Sequence, residues 1–275
     1  MPVLLFFLIF LGWAHPVWGE TGLDVQFFTG YNSASLRTLN NKKLAETSFN
    51  PPALRGSPSI HDGPLIGLEV EWRIRPRFSL VAFVSSWEGE SRTLESGETP
   101  FEDNGVIPFK SDRLTRVSFN EYALRGRYHI LDSPKHHRLY LEFGLFDQVK
   151  VTYREDDNYV LQATAGETLR NISSRAVSKG GYLFEWGVGG DLYLNKWAAV
   201  SLNANYRIGK AVPLLYKSFR HTFTEQDAIA DASGRTSPFP KTGEAVLVDR
   251  GTEAQQPLKI ELDGFQVSAG IRIFF

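Results

Sequence analysis

The stretch Ile66–Ile74, IGLEVEWRI, alternates without a fault. Ile66, Leu68, Val70, Trp72 and Ile74 are apolar, and Gly67, Glu69, Glu71 and Arg73 between them are small or charged. A period of two is that of a β-strand, whose successive side chains point to opposite faces. The constraint lies in how sharply the faces divide, because one carries full charges and the other carries none. The pattern recurs along the chain. Tyr122, Leu124, Gly126, Tyr128 and Ile130 oppose Ala123, Arg125, Arg127 and His129. Leu139, Leu141, Phe143 and Leu145 oppose Tyr140, Glu142 and Gly144. Tyr182, Phe184, Trp186, Val188, Leu192 and Leu194 oppose Glu185, Gly187, Gly189 and Asp191. Val200, Leu202, Ala204, Tyr206 and Ile208 oppose Ser201, Asn203, Asn205 and Arg207. The stretch Gly264–Phe275 sets Phe265, Val267, Ala269, Ile271, Ile273 and Phe275 against Gln266, Ser268, Gly270, Arg272 and Phe274. Leu23–Phe27 is shorter, and Phe78–Trp87 is apolar on both faces, so its facing stays open. These make eight strands.

Their connections alternate in length. Arg75–Arg77, Asp132–His137 and Asn195–Lys196 are short and turn-rich. The others, near 32–63, 91–116, 154–179 and 209–257, are long and read as loops. Long structureless loops do not suit a compact soluble domain. Long loops at one end and short turns at the other suit an outer-membrane barrel, and an even strand number leaves both termini on the short-turn side.

The faces must then be assigned. A soluble barrel turns its apolar face inward, and a membrane barrel turns it outward. The apolar faces bear large aromatics near strand ends, including Trp72, Tyr122, Tyr128, Trp186 and Tyr206. These fit interfacial girdles, so the apolar faces are assigned to lipid. The inward polar network is then Glu69, Glu71, Arg73, Glu121, Arg125, Arg127, Glu142, Glu185, Asp191, Arg207 and Arg272, with Asp24, Gln26, Gln148, Asn203, Asn205 and Gln266. Opposite charges in a narrow lumen pair, because unpaired buried charge is costly.

Composition and the N-terminus agree with export. Val3–Trp13 is an apolar run too short for a transmembrane helix, which needs about 20 residues. It fits the core of a secretory signal, with Val17-Trp18-Gly19 as the cleavage site. No Lys or Arg precedes the run. Residues 1–19 are expected to be a cleaved signal and 20–275 the barrel. The formal net charge of −1 offers no field for a nucleic-acid backbone. The chain has no cysteine, which excludes disulfides and thiolate metal sites.

The last strand resembles the C-terminal signal of outer-membrane barrels, in which alternating apolar residues precede a final Phe. In this chain Phe265, Val267, Ala269, Ile271, Ile273 and Phe275 match. The resemblance implies recognition by the barrel-assembly machinery. Gly187–Arg207, GVGGDLYLNKWAAVSLNANYR, resembles a hairpin of the opacity and outer-membrane protein A-like eight-stranded barrels. It implies an all-β, eight-stranded antiparallel transmembrane barrel with short periplasmic turns and four long extracellular loops, in a Gram-negative outer membrane. The chain departs from two-domain members of that group by ending at Phe275, so peptidoglycan anchoring does not carry over.

Eight strands enclose little more than their own side chains. The expected function is a structural or surface-interaction role through the extracellular loops, with the lumen plugged by ion pairs. A narrow or gated pore is the alternative, and a lipid- or peptide-modifying enzyme the weaker one. No catalytic residue, metal site or cofactor is expected, and the chain is read as not an enzyme. His129 lies inward near a turn, His136 and His137 in a turn, and His61 and His221 in loops, so all five read as solvated turn or loop histidines. Asn171-Ile172-Ser173 matches a glycosylation sequon without consequence there. The expected partners are outer-membrane lipid, the assembly machinery and an extracellular ligand of the loops. Tyr216, Phe219, Phe223 and Phe239 mark the fourth loop, which could fold over the barrel mouth.

Overall fold

The computed structural model describes residues 22–40, 60–100, 106–133, 136–163, 166–211, 213–223, 241–248 and 256–275. The expected signal, residues 1–19, and Phe239 lie outside them. The chain is all-β apart from one helical turn, α1 (Arg37–Asn40). The strands are β1 (Leu23–Ala34), β2 (Asp62–Arg75), β3 (Phe78–Pro100), β4 (Val106–Ser133), β5 (His137–Ala163), β6 (Gly166–Ser178) and β7 (Gly181–Tyr193). They continue with β8 (Ala198–Ala211), β9 (Leu214–Phe223), the short β10 (Leu247–Val248), β11 (Gln256–Pro257) and β12 (Ile260–Glu261), and β13 (Gly264–Phe274).

A ring of eight closes through β1-β2-β3-β4-β5-β7-β8-β13 and back to β1, each neighbour antiparallel. Closure leaves no open strand edge in the ring, and the ladders are continuous apart from local shifts, the widest between Phe143 and Gln148 of β5 against β7. Along the ring the alternation read from sequence is obeyed, except past Leu145 of β5. Ser201 is fully buried inside the ring while its neighbour Leu202 is 55% exposed outside it. On β3, where both faces are apolar, Ser79, Val81, Phe83, Ser85 and Trp87 are buried and Ala82 is exposed, which settles its facing.

Two of the expected long loops are strands instead. Residues 91–100 and 106–116 continue β3 and β4 as one hairpin, and 154–163 and 166–178 form another from β5 and β6. β6 runs into β7 and β9 continues β8, and β6 pairs with β9. Three ring strands, β3, β4 and β5, thus rise beyond the rest and are joined by β6 and β9 in a five-stranded sheet. The period stays two in this extension, but the sign inverts. Outward residues become Glu88, Glu90, Arg92, Arg116, Lys150 and Arg154, while Val117, Phe119, Val149, Val151 and Tyr153 turn inward. Mixed charge and turn-forming residues gave these segments the composition of loops, and an apolar-outward template ends where the outer face meets water.

The fourth expected loop divides: Tyr216, Phe219 and Phe223 lie on β9 as part of the rising sheet, whereas Val246 packs into the barrel. Val246, Leu258, Ile260 and Leu262 bury themselves with Leu36, Leu39 and Ile60 against Phe28, Leu65, Trp87, Phe119 and Leu183 from the ring wall. Thr38 bonds Glu261 through its amide (3.0 Å) and hydroxyl (2.5 Å), and Asn40 pairs with both backbone groups of Ile60 at 2.8 Å. Leu36 has a φ of 41°, a left-handed conformation that costs a β-carbon residue about 1 kcal/mol. Its complete burial offsets that cost. An apolar plug therefore stands in the upper ring.

Candidate functional site

The lower ring is filled with charge. Among the described residues within the ring, eight carboxylates are buried: Asp24, Glu69, Glu71, Glu121, Glu142, Asp147, Glu185 and Asp191. Five buried guanidiniums, Arg125, Arg127, Arg138, Arg207 and Arg272, and the imidazole of His129 face them. Glu71 is the hub of the lower layer. Its Oε2 accepts from Arg127 Nη1 (2.5 Å), Arg272 Nη1 (2.6 Å) and Arg138 Nη2 (3.5 Å). Asp191 accepts from Arg138 Nε (2.6 Å), Arg272 Nε (3.3 Å) and Ser201 Oγ (2.6 Å). Glu69 takes Arg127 Nη2 at 2.8 Å and Arg272 Nη2 at 3.3 Å, and Asp24 takes Arg138 Nη1 at 3.1 Å. Four strands separated widely in sequence are thus tied through one carboxylate.

Glu142 joins this layer to the next, accepting from Arg127 Nη2 (2.5 Å) and Arg125 Nη1 (2.9 Å). Arg125 Nη2 then reaches Glu121 (2.5 Å) and Glu185 (2.9 Å). Arg207 Nη1 reaches Glu121 and Gln266, each at 3.2 Å. Charge-assisted bonds of this kind are shorter and stronger than neutral ones. The seam with the apolar plug is made by cations on rings. Arg125 lies 3.4 Å above the Phe83 ring centroid and Arg207 4.8 Å above that of Phe119. A guanidinium stacked on a ring keeps its in-plane donors for carboxylates, so one residue satisfies both layers.

The glycine-rich strand has a local reason. A β-carbon on Gly189 would collide with the Tyr140 ring and the Asn203 side chain, and one on Gly187 with Asn205. Tyr140 needs that space to donate to Asn203 Oδ1 (2.6 Å) and to lie 4.1 Å from Arg127.

Of the twelve charged residues expected inside, eleven are buried in this network. Arg73 is not, since it sits half-buried at the short-turn lip on Asp132 at 2.8 Å. Gln148 is a correction: it is exposed. The register of β5 slips at Leu145, so that Leu124 pairs with Phe146 and Arg125 with Gly144. One extra residue reverses the facing of everything after it. Asp147 therefore turns inward, where strict alternation from Leu139 would turn it out. Arg138 was missed because the strand begins at His137, inside what reads as a turn.

His129 is a second correction, because it is buried rather than solvated. Its Nε2 meets both Ser79 Oγ (2.8 Å) and Glu71 Oε1 (3.1 Å), and its Nδ1 has no hydrogen-bond partner. A serine-activating base is oriented through its second nitrogen, which this arrangement does not provide. His61, His136 and His137 are exposed.

Outside the ring wall, Trp72, Tyr122, Tyr128 and Trp186 are exposed, and Tyr206 lies between Trp186 and Phe265 with centroids at 6.1 and 4.9 Å. Phe265, Val267, Ala269, Ile271 and Phe275 also point out, with Ile273 half-buried. Phe274 turns the other way, onto Tyr193 at 5.1 Å.

No protein family matches the chain, and no curated protein does. Among solved structures, the chain is similar to the outer membrane protease OmpT from Escherichia coli. The TM-score is 0.38 at 9% identity, over 94% of this chain and 99% of that one. That structure is of a protease, so the comparison does not bear out the expectation that the chain is not an enzyme.

Proposed function

We propose that the chain is an integral outer-membrane β-barrel whose lumen is closed and whose rising five-stranded sheet meets the cell exterior. The observation that carries the reading is the inverted ring. Large apolar side chains stand outside, with Phe265, Phe27, Trp197 and Leu192 each more than half exposed, while full charges are buried inside. A soluble barrel would lose stability on both counts, because apolar area would face water and ions would be stripped of it. In hydrocarbon the first becomes favourable, and pairing answers the second.

The dimensions agree. From Trp197 to Tyr206 the chain advances nine residues along β8. At about 3.3 Å per residue and a tilt near 40°, the rise is about 23 Å, close to the apolar band of about 25 Å. Trp72, Tyr128 and Trp197 then mark the lower interface, and Tyr31, Tyr182, Trp186 and Tyr206 the upper.

The closed lumen is supported by two barriers in series. Arginine–carboxylate pairs fill the lower half, and Leu36, Leu262 and their neighbours fill the upper. The role is then structural, or one of surface interaction through the sheet of β3, β4, β5, β6 and β9.

The chain has no cysteine, so each introduced thiol reports alone. Spin labels at Leu202→Cys and Glu88→Cys, in protein recovered from outer membranes, test the assignment. Leu202 is expected to be accessible to oxygen and shielded from a polar nickel chelate, and Glu88 the reverse. Polar accessibility at Leu202, or recovery of the chain as a soluble protein, would sink the reading.

A further inference from the structure

Asp147 stands apart from the other buried carboxylates. It is only 8% exposed, and neither of its oxygens has a hydrogen-bond partner. Neither Arg125 nor Arg207 reaches it, although both approach its neighbours. Those neighbours are Glu121 and Glu185, also buried, and one carboxylate oxygen from each of the three residues lies within 4.8 Å of the other two. A buried carboxylate with no donor is strongly disfavoured, and two more beside it worsen the repulsion. Arg125 alone bridges Glu121 and Glu185, and it is shared with Glu142. Positive charge is short here by the amount that one small cation would supply.

We propose that Glu121, Asp147 and Glu185 hold a divalent cation of calcium size within the lumen. The donor set is all oxygen, which suits a hard cation. Hydration decides among these. Mg²⁺ holds its waters tightly and demands near-ideal octahedral geometry, whereas Ca²⁺ accepts irregular sets of carboxylate oxygens. The three oxygens lie within 4.8 Å of one another, near enough to share one ion. The slip at Leu145 supplies the third ligand, since without it Asp147 would face outward. The two glutamates are already oriented, Glu121 by Ser85 Oγ (3.2 Å) and Glu185 by Asn205 Nδ2 (2.5 Å). The cluster lies at the level of Phe83 and Phe119, directly below the apolar plug, so an ion bound during folding would be sealed in.

The test uses the full-length mature barrel, unfolded in chelator and refolded in detergent with or without calcium chloride. After gel filtration in metal-free buffer, metal content is measured by mass spectrometry. The expected result is about one calcium ion retained per chain, with no such retention when magnesium alone is offered at the same concentration. Asp147→Asn is expected to fold and to reduce retention roughly tenfold or more, while Asp112→Asn on the exposed extension leaves it unchanged. Should Asp147→Asn not fold, Glu185→Gln serves as the second arm. No retained calcium in the refolded wild-type barrel would overturn the proposal. Undiminished retention in the Asp147 or Glu185 variant would do so as well, by placing the ion elsewhere.

Discussion

The lower and upper halves of the molecule are built from the same strands and obey opposite rules. In the lower half Glu71, Arg127 and Arg272 are inside, and Leu202 and Ile271 are outside. In the upper half Trp87, Phe119 and Val151 are inside, and Glu88, Arg116 and Arg154 are outside. The strands stay antiparallel through both, and β4 passes without a break from Val106 to Ser133, although β5 slips by one residue at Leu145 where the halves meet. On the proposed reading, what changes is the medium against the outer wall. The interior then takes whatever the outer face does not use, so water outside leaves an apolar core and hydrocarbon outside leaves a charged one. Arg125 on Phe83 and Arg207 on Phe119 mark the level where the rule turns over.

Removing the hub of the charged half should cost most. Glu71→Ala strands Arg127, Arg138 and Arg272 without their common acceptor, and breaking a buried pair on one side costs roughly 3–5 kcal/mol. A urea titration of the refolded barrel is expected to show a loss of that size, and a loss below about 1 kcal/mol would mean that water enters the lower lumen. In the apolar half, Leu262→Ala opens a cavity in the plug, for an expected loss of about 2–4 kcal/mol in the same titration. Glu71→Gln sharpens the contrast, since it keeps the shape and should recover part of the loss, whereas no polar isostere should rescue Leu262.

The outer wall gives the next contrast. Leu202→Arg puts a charge on the outer face of the lower half and is expected to cost about 2–4 kcal/mol in a lipid refolding assay if it lies near the midplane. Arg116→Leu makes the reverse change on the outer face of the upper half, where Arg116 pairs with Glu88 (3.1 Å) and Glu90 (2.7 Å) in water. Its effect should stay below about 1 kcal/mol. Equal costs for the two would break the inversion.

The smallest effect belongs to Asp112. The hydrogen bonds from Arg92 hold its carboxyl below the usual carboxylate range. A depressed folded-state value means that its contribution is present above the unfolded value, near 3.9, and fades as pH falls through the lower folded one. Asp112→Asn should therefore remove less than about 1 kcal/mol at pH 7 and almost nothing in strong acid, read by urea midpoints at both pH values.

Most of the lower ring was legible because period two and charge segregation are written together there, as in Ile66–Ile74. Eleven of the charged network residues follow from that alone. The sequence conceals what breaks the period or changes its sense. Asp147 and Gln148 exchange faces through one extra residue at Leu145, and nothing in EFGLFDQVK marks the slip. Residues 91–100, 106–116, 154–163 and 166–178 keep the strand period, but their outer faces are charged and their inner faces mixed, so the composition is that of loops. Of the plug residues, Leu36 carries no periodic signal, and the alternation of Leu258, Ile260 and Leu262 with Lys259, Glu261 and Asp263 does not say what that face will meet. Their partners lie on strands far away in the chain, and only closure of the ring brings them together.

The account rests on two seals in one lumen, and conductance tests both at once. Purified barrel inserted into a planar lipid bilayer at neutral pH is expected to insert without giving a steady current in either polarity. Leu262→Ala should remain silent too, because the charged layer beneath it still stands. Stable, ion-selective channels from the wild-type protein would contradict the account.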